Sequence, residues 1–450
     1  MLDVLLLLAG AVVLWGAGRR IERATAVLEA GLAFMVGFAL ATTVCLLLLV
    51  AGSDLSIPQF LAAFAAATLA VAALARRLGG RPARPPRRTD RLTTGRRLLT
   101  IVPAALLALY LLALLRRTLY SGVEWVDAWT FWVPRAKTIY YFGGLVLGPN
   151  GFDAFPHAEY PPGVPGLNAV VFRFAGGADP LELPLQEWLV AVAFLLALAA
   201  LLARRVPAHI LSPALLFVAV TPTFGREIGI LMADLVLAVT FALAGVCALL
   251  WLLDRRPELA VLAGVFAASA AALKKEGLFF GVLLAGAITL VAPLAEVARR
   301  RALLLAVPPV VVSAVWSMWI SSHDVHTTND YRLSDLLDPG FLGDRLGRLG
   351  TVLTSLPSYL FDPRQFFIAL PAALAAAVLG LRRSPIVARL VLVIVPAGFA
   401  GLVVIYWISI QDVHFHLWTS AGRVPGALVF LCLALLPVLI TATEEQPRGP

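Results

Sequence analysis

Apolar runs alternate with short, arginine-rich polar breaks along most of the chain. The runs fall at 2–18, 28–51, 58–75, 98–115, 184–203, 208–224, 234–253, 258–273, 277–297, 302–320, 365–381, 386–407 and 424–442. A helix needs roughly 20 predominantly apolar residues to cross a bilayer, and most of these runs approach that length. The pattern predicts an all-α, polytopic transmembrane bundle of about 13 spans. The 258–273 run is short and alanine-rich and gives the faintest signal. Two polar intervals are much longer than the rest, 116–183 and 321–364. Intervals of that length are usually functional or disordered, and the aromatic and charged content of these two favours folded, functional loops. Within the first, Trp125, Trp129 and Trp132 recur at spacings of four and three, which places three indoles on one helical face at a membrane interface.

Basic residues orient the bundle, because loops rich in lysine and arginine stay in the cytoplasm. With the N-terminus outside, the clusters at Arg19-Arg20-Ile21-Glu22-Arg23, across 76–97, and at Arg204-Arg205, Arg255-Arg256, Arg299-Arg300-Arg301 and Arg382-Arg383 all fall inside. Met1-Leu2-Asp3 lacks the basic start of a signal peptide, so the first run reads as a span. The chain then divides into a three-span unit (1–75), a cytoplasmic Arg/Pro-rich linker (76–97), a ten-span module (98–442) carrying both outer loops, and a cytoplasmic tail (443–450).

Composition agrees with this reading. The chain is 60% hydrophobic and 14% charged, against about 45–50% and about 25% in soluble domains. The net charge of +9 is explained by cytoplasmic arginines and not by a nucleic-acid partner. Cys45, Cys247 and Cys432 each lie inside an apolar run, with no spacing that suggests a metal or redox motif. No P-loop, dinucleotide fingerprint or nucleophile elbow occurs.

Under the same topology the polar residues best suited to chemistry fall on the outer side. Glu124 and Asp127, three apart after span four, share a helical face, and two close carboxylates suit a general base. His157-Ala158-Glu159-Tyr160-Pro161-Pro162-Gly163 reads as a rigid turn able to fix Glu159 and Tyr160. Lys274 and Lys275 are paired lysines outside, against the inward bias, and an anionic ligand such as phosphate is the natural partner. Glu276 alone would neutralise one of them. Arg226 adds to such an anion site, while Asp234 opens span seven, where an acid is also a favourable cap. His414 and His416 lie two apart before Arg423. They could ligate a divalent metal, but no third ligand stands at a fixed spacing, and hydrogen bonding to sugar or phosphate with Arg423 as a clamp fits better. His323-Asp324-Val325-His326 is suggestive and unspecific.

Several of these elements, in this order from span four onward, resemble the GT-C superfamily of membrane glycosyltransferases, especially bacterial proteins related to glycosyltransferase family 39. They are Glu124 to Asp127 with Trp132 to Gly144, the His157-to-Gly163 turn, Ala233-Asp234, Lys275-Glu276-Gly277 and His416 to Arg423. The resemblance does not reach spans one to three. It implies a GT-C-like catalytic module in the bacterial cytoplasmic membrane, active at the outer face. The donor would be a polyprenyl-phosphate sugar and the acceptor a hydroxyl of a glycan, lipid or protein of the cell envelope. Asp127, with Glu124 second, would be the catalytic acid. Lys274, Lys275, Arg226 and Arg423 would bind donor phosphate, and His157, Glu159, Tyr160, Asp234, Glu276, His414 and His416 would contact substrate. Glu124 and Asp127 are not adjacent, unlike the family's pattern, which leaves open which acid is the base and whether a divalent metal takes part. No other cofactor is implied. The alternative function is a non-enzymatic lipid-glycan transporter or envelope-assembly protein.

Overall fold

Each apolar run becomes a helix. The computed structural model describes residues 1–19, 23–79, 93–123, 125–292, 302–325 and 331–444. Among them the chain is all-helical, with no strand. In chain order the helices are α1 (Leu2–Gly16), α2 (Ala26–Val50), α3 (Ile57–Leu78), α4 (Thr94–Ser121), α5 (Val133–Phe142), α6 (Gly163–Ala175), α7 (Glu182–Leu202), α8 (Ala208–Val220), α9 (Pro222–Glu227) and α10 (Ala233–Asp254). Then come α11 (Pro257–Leu273), α12 (Glu276–Val291), α13 (Val307–Ser322), α14 (Pro339–Asp344), α15 (Leu346–Leu360), α16 (Pro363–Phe366), α17 (Ala369–Gly380), α18 (Pro385–Ile408), α19 (Val413–Ser420) and α20 (Gly426–Glu444). Seven described helices are long and apolar enough to cross a membrane, and six shorter apolar helices accompany them.

Burial separates the long helices. In α10, 94% of the apolar window is buried inside the protein, whereas in α4 only 6% is. Leu99, Ile101, Leu106, Leu109 and Leu112 of α4 are all exposed. A row of exposed leucines is unstable against water but at home against hydrocarbon, so the chain is a membrane protein. The centre is α10, packed against α11 and α20. The first three helices pack on one another, and α2 packs against α6, α7 and α11 as well. Two polar contacts fasten α2. Thr42 Oγ1 and Ser269 Oγ of α11 are 2.8 Å apart. Arg19 donates to both carboxylate oxygens of Glu29 and to the Ala200 carbonyl of α7.

Glu124, Arg20 to Glu22, Arg299 to Arg301, His326, residues 80–92 of the linker and 445–450 of the tail lie outside the described residues. The first long interval is helical in part: a π-helical turn at Ala128–Trp132, then α5, a 3-10 turn at Phe152–Ala154 and α6. The second carries a 3-10 turn at Leu333–Leu337, then α14, α15 and α16. The three tryptophans of the first interval do not share a face. Trp132 is buried, while Trp125 and Trp129 are exposed. The π turn inserts an extra residue per turn and shifts the register on which a spacing of four and three depends.

Candidate functional site

Helices α10 and α11 run antiparallel, so the start of α10 and the end of α11 meet at the same end of the bundle. There Lys274 Nζ donates to Asp234 Oδ1 at 2.8 Å and lies 3.6 Å from Glu276 Oε1. Arg423 lies 3.8 Å from the other oxygen of Asp234 and 3.2 Å from Asp127 Oδ2. The result is a chain of ion pairs, Asp127–Arg423–Asp234–Lys274–Glu276, drawn from four separate segments. Most of it is enclosed: the side chains of Asp234, Lys274 and Glu276 are 3%, 8% and 8% exposed, and that of Asp127 is 38% exposed. Burial opposes the charge on Lys274, and the carboxylates of Asp234 and Glu276 outweigh it, so its pKa lies above the ordinary lysine range. The same balance, with Asp234, Asp127 and Glu227 against burial, raises Arg423.

Lys274, one of the two lysines expected at an external anion, is thus engaged within the protein. Asp234, forty residues away in the chain, is the partner that Glu276 alone could not replace. Arg226 is also engaged within the protein, donating to Gln365 Oε1 at 2.7 Å and to Thr223 Oγ1 at 3.2 Å. Glu227 is buried beside these groups, and its Oε1 accepts no hydrogen bond from a described residue. Burial pushes its carboxyl well above the ordinary range, Asp234 adds to the rise, and Arg423 and Arg226 oppose it. The loop that carries Glu227 is held on both sides. Arg117 donates to the carbonyls of Gly225 and Ile228, each at 2.7 Å, and Glu187 accepts from the backbone N–H groups of Gly229 and Leu231.

The His157-to-Gly163 turn packs against the same end. Its anchor is Arg135 of α5, fully buried, which donates to the carbonyls of His157, Ala158 and Tyr160 and lies 3.9 Å over the Phe152 ring. His157 has φ of +59°, a strained conformation for a residue with a Cβ, and three hydrogen bonds from one guanidinium hold the carbonyls around it. Two glycines let the pieces close up. A Cβ on Gly163 would collide with the Ala272 carbonyl of α11, and one on Gly277 with the Ala270 carbonyl. Tyr160 stacks between His157 and Trp132, and Lys274 Nζ lies 5.6 Å over its ring. The turn thus touches the ion-pair chain through an aromatic ring.

Beyond the turn is a cavity of about 640 Å³, lined by Glu159, Pro161, Lys275, Trp316, Asp324, Arg332 and the three serines 313, 317 and 321. The serines are spaced by four, which puts them on one face of α13. Glu159 is 7% exposed, and neither of its carboxylate oxygens accepts a hydrogen bond from a described residue. Its Oε1 lies 3.6 Å from His157 Nδ1. Burial raises the Glu159 carboxyl, but His157 and then Lys275 hold it below its ordinary range. The backbone carbonyl of Glu159 accepts from Trp316 Nε1 at 2.8 Å, which fixes the turn to α13. Lys275 sits 4.4 Å over the Tyr331 ring and donates to the Tyr331 carbonyl at 3.4 Å.

The remaining histidines stand apart. His416 Nδ1 is 2.8 Å from Ser409 Oγ, and its ring packs on Tyr406, whose hydroxyl meets Ser420. His414 is exposed on the first turn of α19 near Asp412. Among the described residues no group of three His, Cys, Asp or Glu is placed to hold a metal ion. Asp127 and Arg423 do not line the cavity at Glu159; they reach it only through Asp234, Lys274 and Tyr160. Sequence reasoning missed Arg135, Glu187, Arg117, Arg332 and Gln365.

Compared with protein-family models, curated proteins and solved structures, the chain matches none.

Proposed function

We propose that the protein is an integral membrane glycosyltransferase of GT-C type with about thirteen spans. In this reading it moves a sugar from a polyprenyl-phosphate donor to an acceptor hydroxyl at the outer face of the bacterial cytoplasmic membrane. The observation that carries it is a reachable carboxylate, Asp127, at the open end of a buried ion-pair chain whose far end, at Lys274, meets through Tyr160 the turn that walls a cavity carrying Glu159, Lys275 and Arg332. In the proposed step the acceptor oxygen attacks the anomeric carbon and gives its proton to the Asp127 carboxylate. The bond from the anomeric carbon to the phosphate oxygen breaks with inversion, and the lipid phosphate leaves as an anion. Arg423 orients Asp127 through its 3.2 Å contact. Of the four cations expected at the phosphate, Lys275 is the one that lines the cavity, and Arg332 joins it there. Hydroxyl-rich groups suit the rest of the lining, where serine hydroxyls and the open Glu159 oxygens offer hydrogen bonds.

Asp127→Asn keeps the side chain's shape and removes the base. In proteoliposomes with purified donor, transfer falls by about a hundredfold or more, the usual worth of a positioned general base, while insertion is normal. Transfer at the parental rate contradicts the assignment. Donor that crosses the bilayer without any sugar being transferred favours the transporter reading.

A further inference from the structure

A second cavity, of about 870 Å³, lies between the first three helices and the rest of the bundle. Its walls come from α2, α3 and α11, closed at one side by Leu304, Leu305 and Pro308 at the start of α13. It exists because small residues stand where the helices face each other, Ala67 and Ala70 on α3 against Ala260, Gly264 and Ala268 on α11. The lining is apolar except at Thr43, whose hydroxyl bonds back to Ala39, and at Arg77. Arg77 is exposed and makes no ion pair with a described residue. Three other arginines at this end are held within the protein instead: Arg19, Arg205 and Arg256 pair with Glu29, Asp254 and Glu258.

The position of this groove separates it from the site above. Arg77 shares its mouth with Pro257, the first residue of α11, whereas the ion-pair chain begins at Lys274, just past the last. At 1.5 Å per residue the two ends of α11 are about 25 Å apart. From Pro257 to Ala268 the groove follows α11 for about 17 Å. That is close to one leaflet's share of the hydrocarbon core, about 15 Å.

We propose that the groove holds one anionic phospholipid of the surrounding bilayer, an acyl chain lying between α3 and α11 and the phosphate on Arg77. Basic pockets between membrane helices recognise lipid head groups through such a cation. The bound lipid fills the gap between the first three helices and the module that carries the ion-pair chain. The chain of one phospholipid spans a leaflet, which matches the groove; a polyprenyl chain would overrun it.

The test is native mass spectrometry of the full chain extracted from vesicles of phosphatidylcholine and phosphatidylglycerol. The parent retains a single phosphatidylglycerol. Arg77→Gln, a surface change that leaves the helices intact, lowers retention of phosphatidylglycerol relative to phosphatidylcholine by about fivefold, the worth of one cation at a lipid surface. Ala260→Trp fills the groove and abolishes retention of both lipids. Equal preference in Arg77→Gln, parental retention in Ala260→Trp, or complete displacement of phosphatidylglycerol by added polyprenyl phosphate would each overturn the proposal.

Discussion

Lys274 and Lys275 follow one another in the chain and open onto different environments. Lys274 points inward, where Asp234 and Glu276 surround its ammonium and Arg423 lies just beyond. Lys275 lines a cavity beside Glu159, with its ammonium at the Tyr331 carbonyl and ring and the Glu159 carboxylate 3.6 Å from His157. The first region is a closed set of charges that satisfy one another. The second is paired more loosely, and its polar groups line an open cavity. Removing one member of a buried set strands the charge of the other, and a cavity lined by polar groups is where a ligand finds partners. The difference arises in a single peptide step: Lys274 continues out of α11 in extended conformation, φ −156° and ψ 155°, while Lys275 is already helical at the start of α12.

The largest expected effect breaks the closed region. Lys274→Met leaves Asp234 and Glu276 as buried, unpaired carboxylates and destabilises the protein by about 3–5 kcal/mol, the usual cost of removing one partner of a buried pair. Lys275→Met leaves no such debt in the interior and shifts stability by only about 0.5 kcal/mol. Thermal unfolding of both variants in detergent measures the contrast, and equal losses would erase it. A smaller effect sharpens the same region. The Glu227 carboxyl keeps its proton in the folded protein well above the unfolded value of about 4.3. As pH rises past that value the unfolded state loses the proton first, so stability falls until the folded group titrates too. Glu227→Gln removes one titrating group and flattens the fall by up to about 1.4 kcal/mol per pH unit. An unchanged slope between variant and parent would mean that Glu227 ionises normally.

The sequence pattern located the helices well, because hydrocarbon-length apolar runs have few alternatives to a helix. It also gathered the polar candidates at one end, since alternating spans bring every second connection together. What it could not supply was pairing across helices. Asp234 looked like a cap and Lys274 like an anion ligand, and only the antiparallel packing of α10 on α11 makes them partners. Trp132 was read as an interfacial indole on an α-helical spacing, which the π turn at Ala128–Trp132 replaces. Arg135 drew no notice, because a buried guanidinium that binds three carbonyls has the same sequence signature as a surface arginine. Arg332 of the cavity wall, and Tyr331 that holds Lys275, come from a loop with no periodicity to place them.

The division between these two lysines is central to the proposed function. Its most direct measurement is binding of polyprenyl phosphate to the purified parent and to Lys275→Met, each checked for parental thermal stability. Loss of one charge-assisted contact at the phosphate weakens binding by about tenfold or more while the unfolding temperature is unchanged. Binding at parental affinity, or unfolding as severe as that of Lys274→Met, would contradict it.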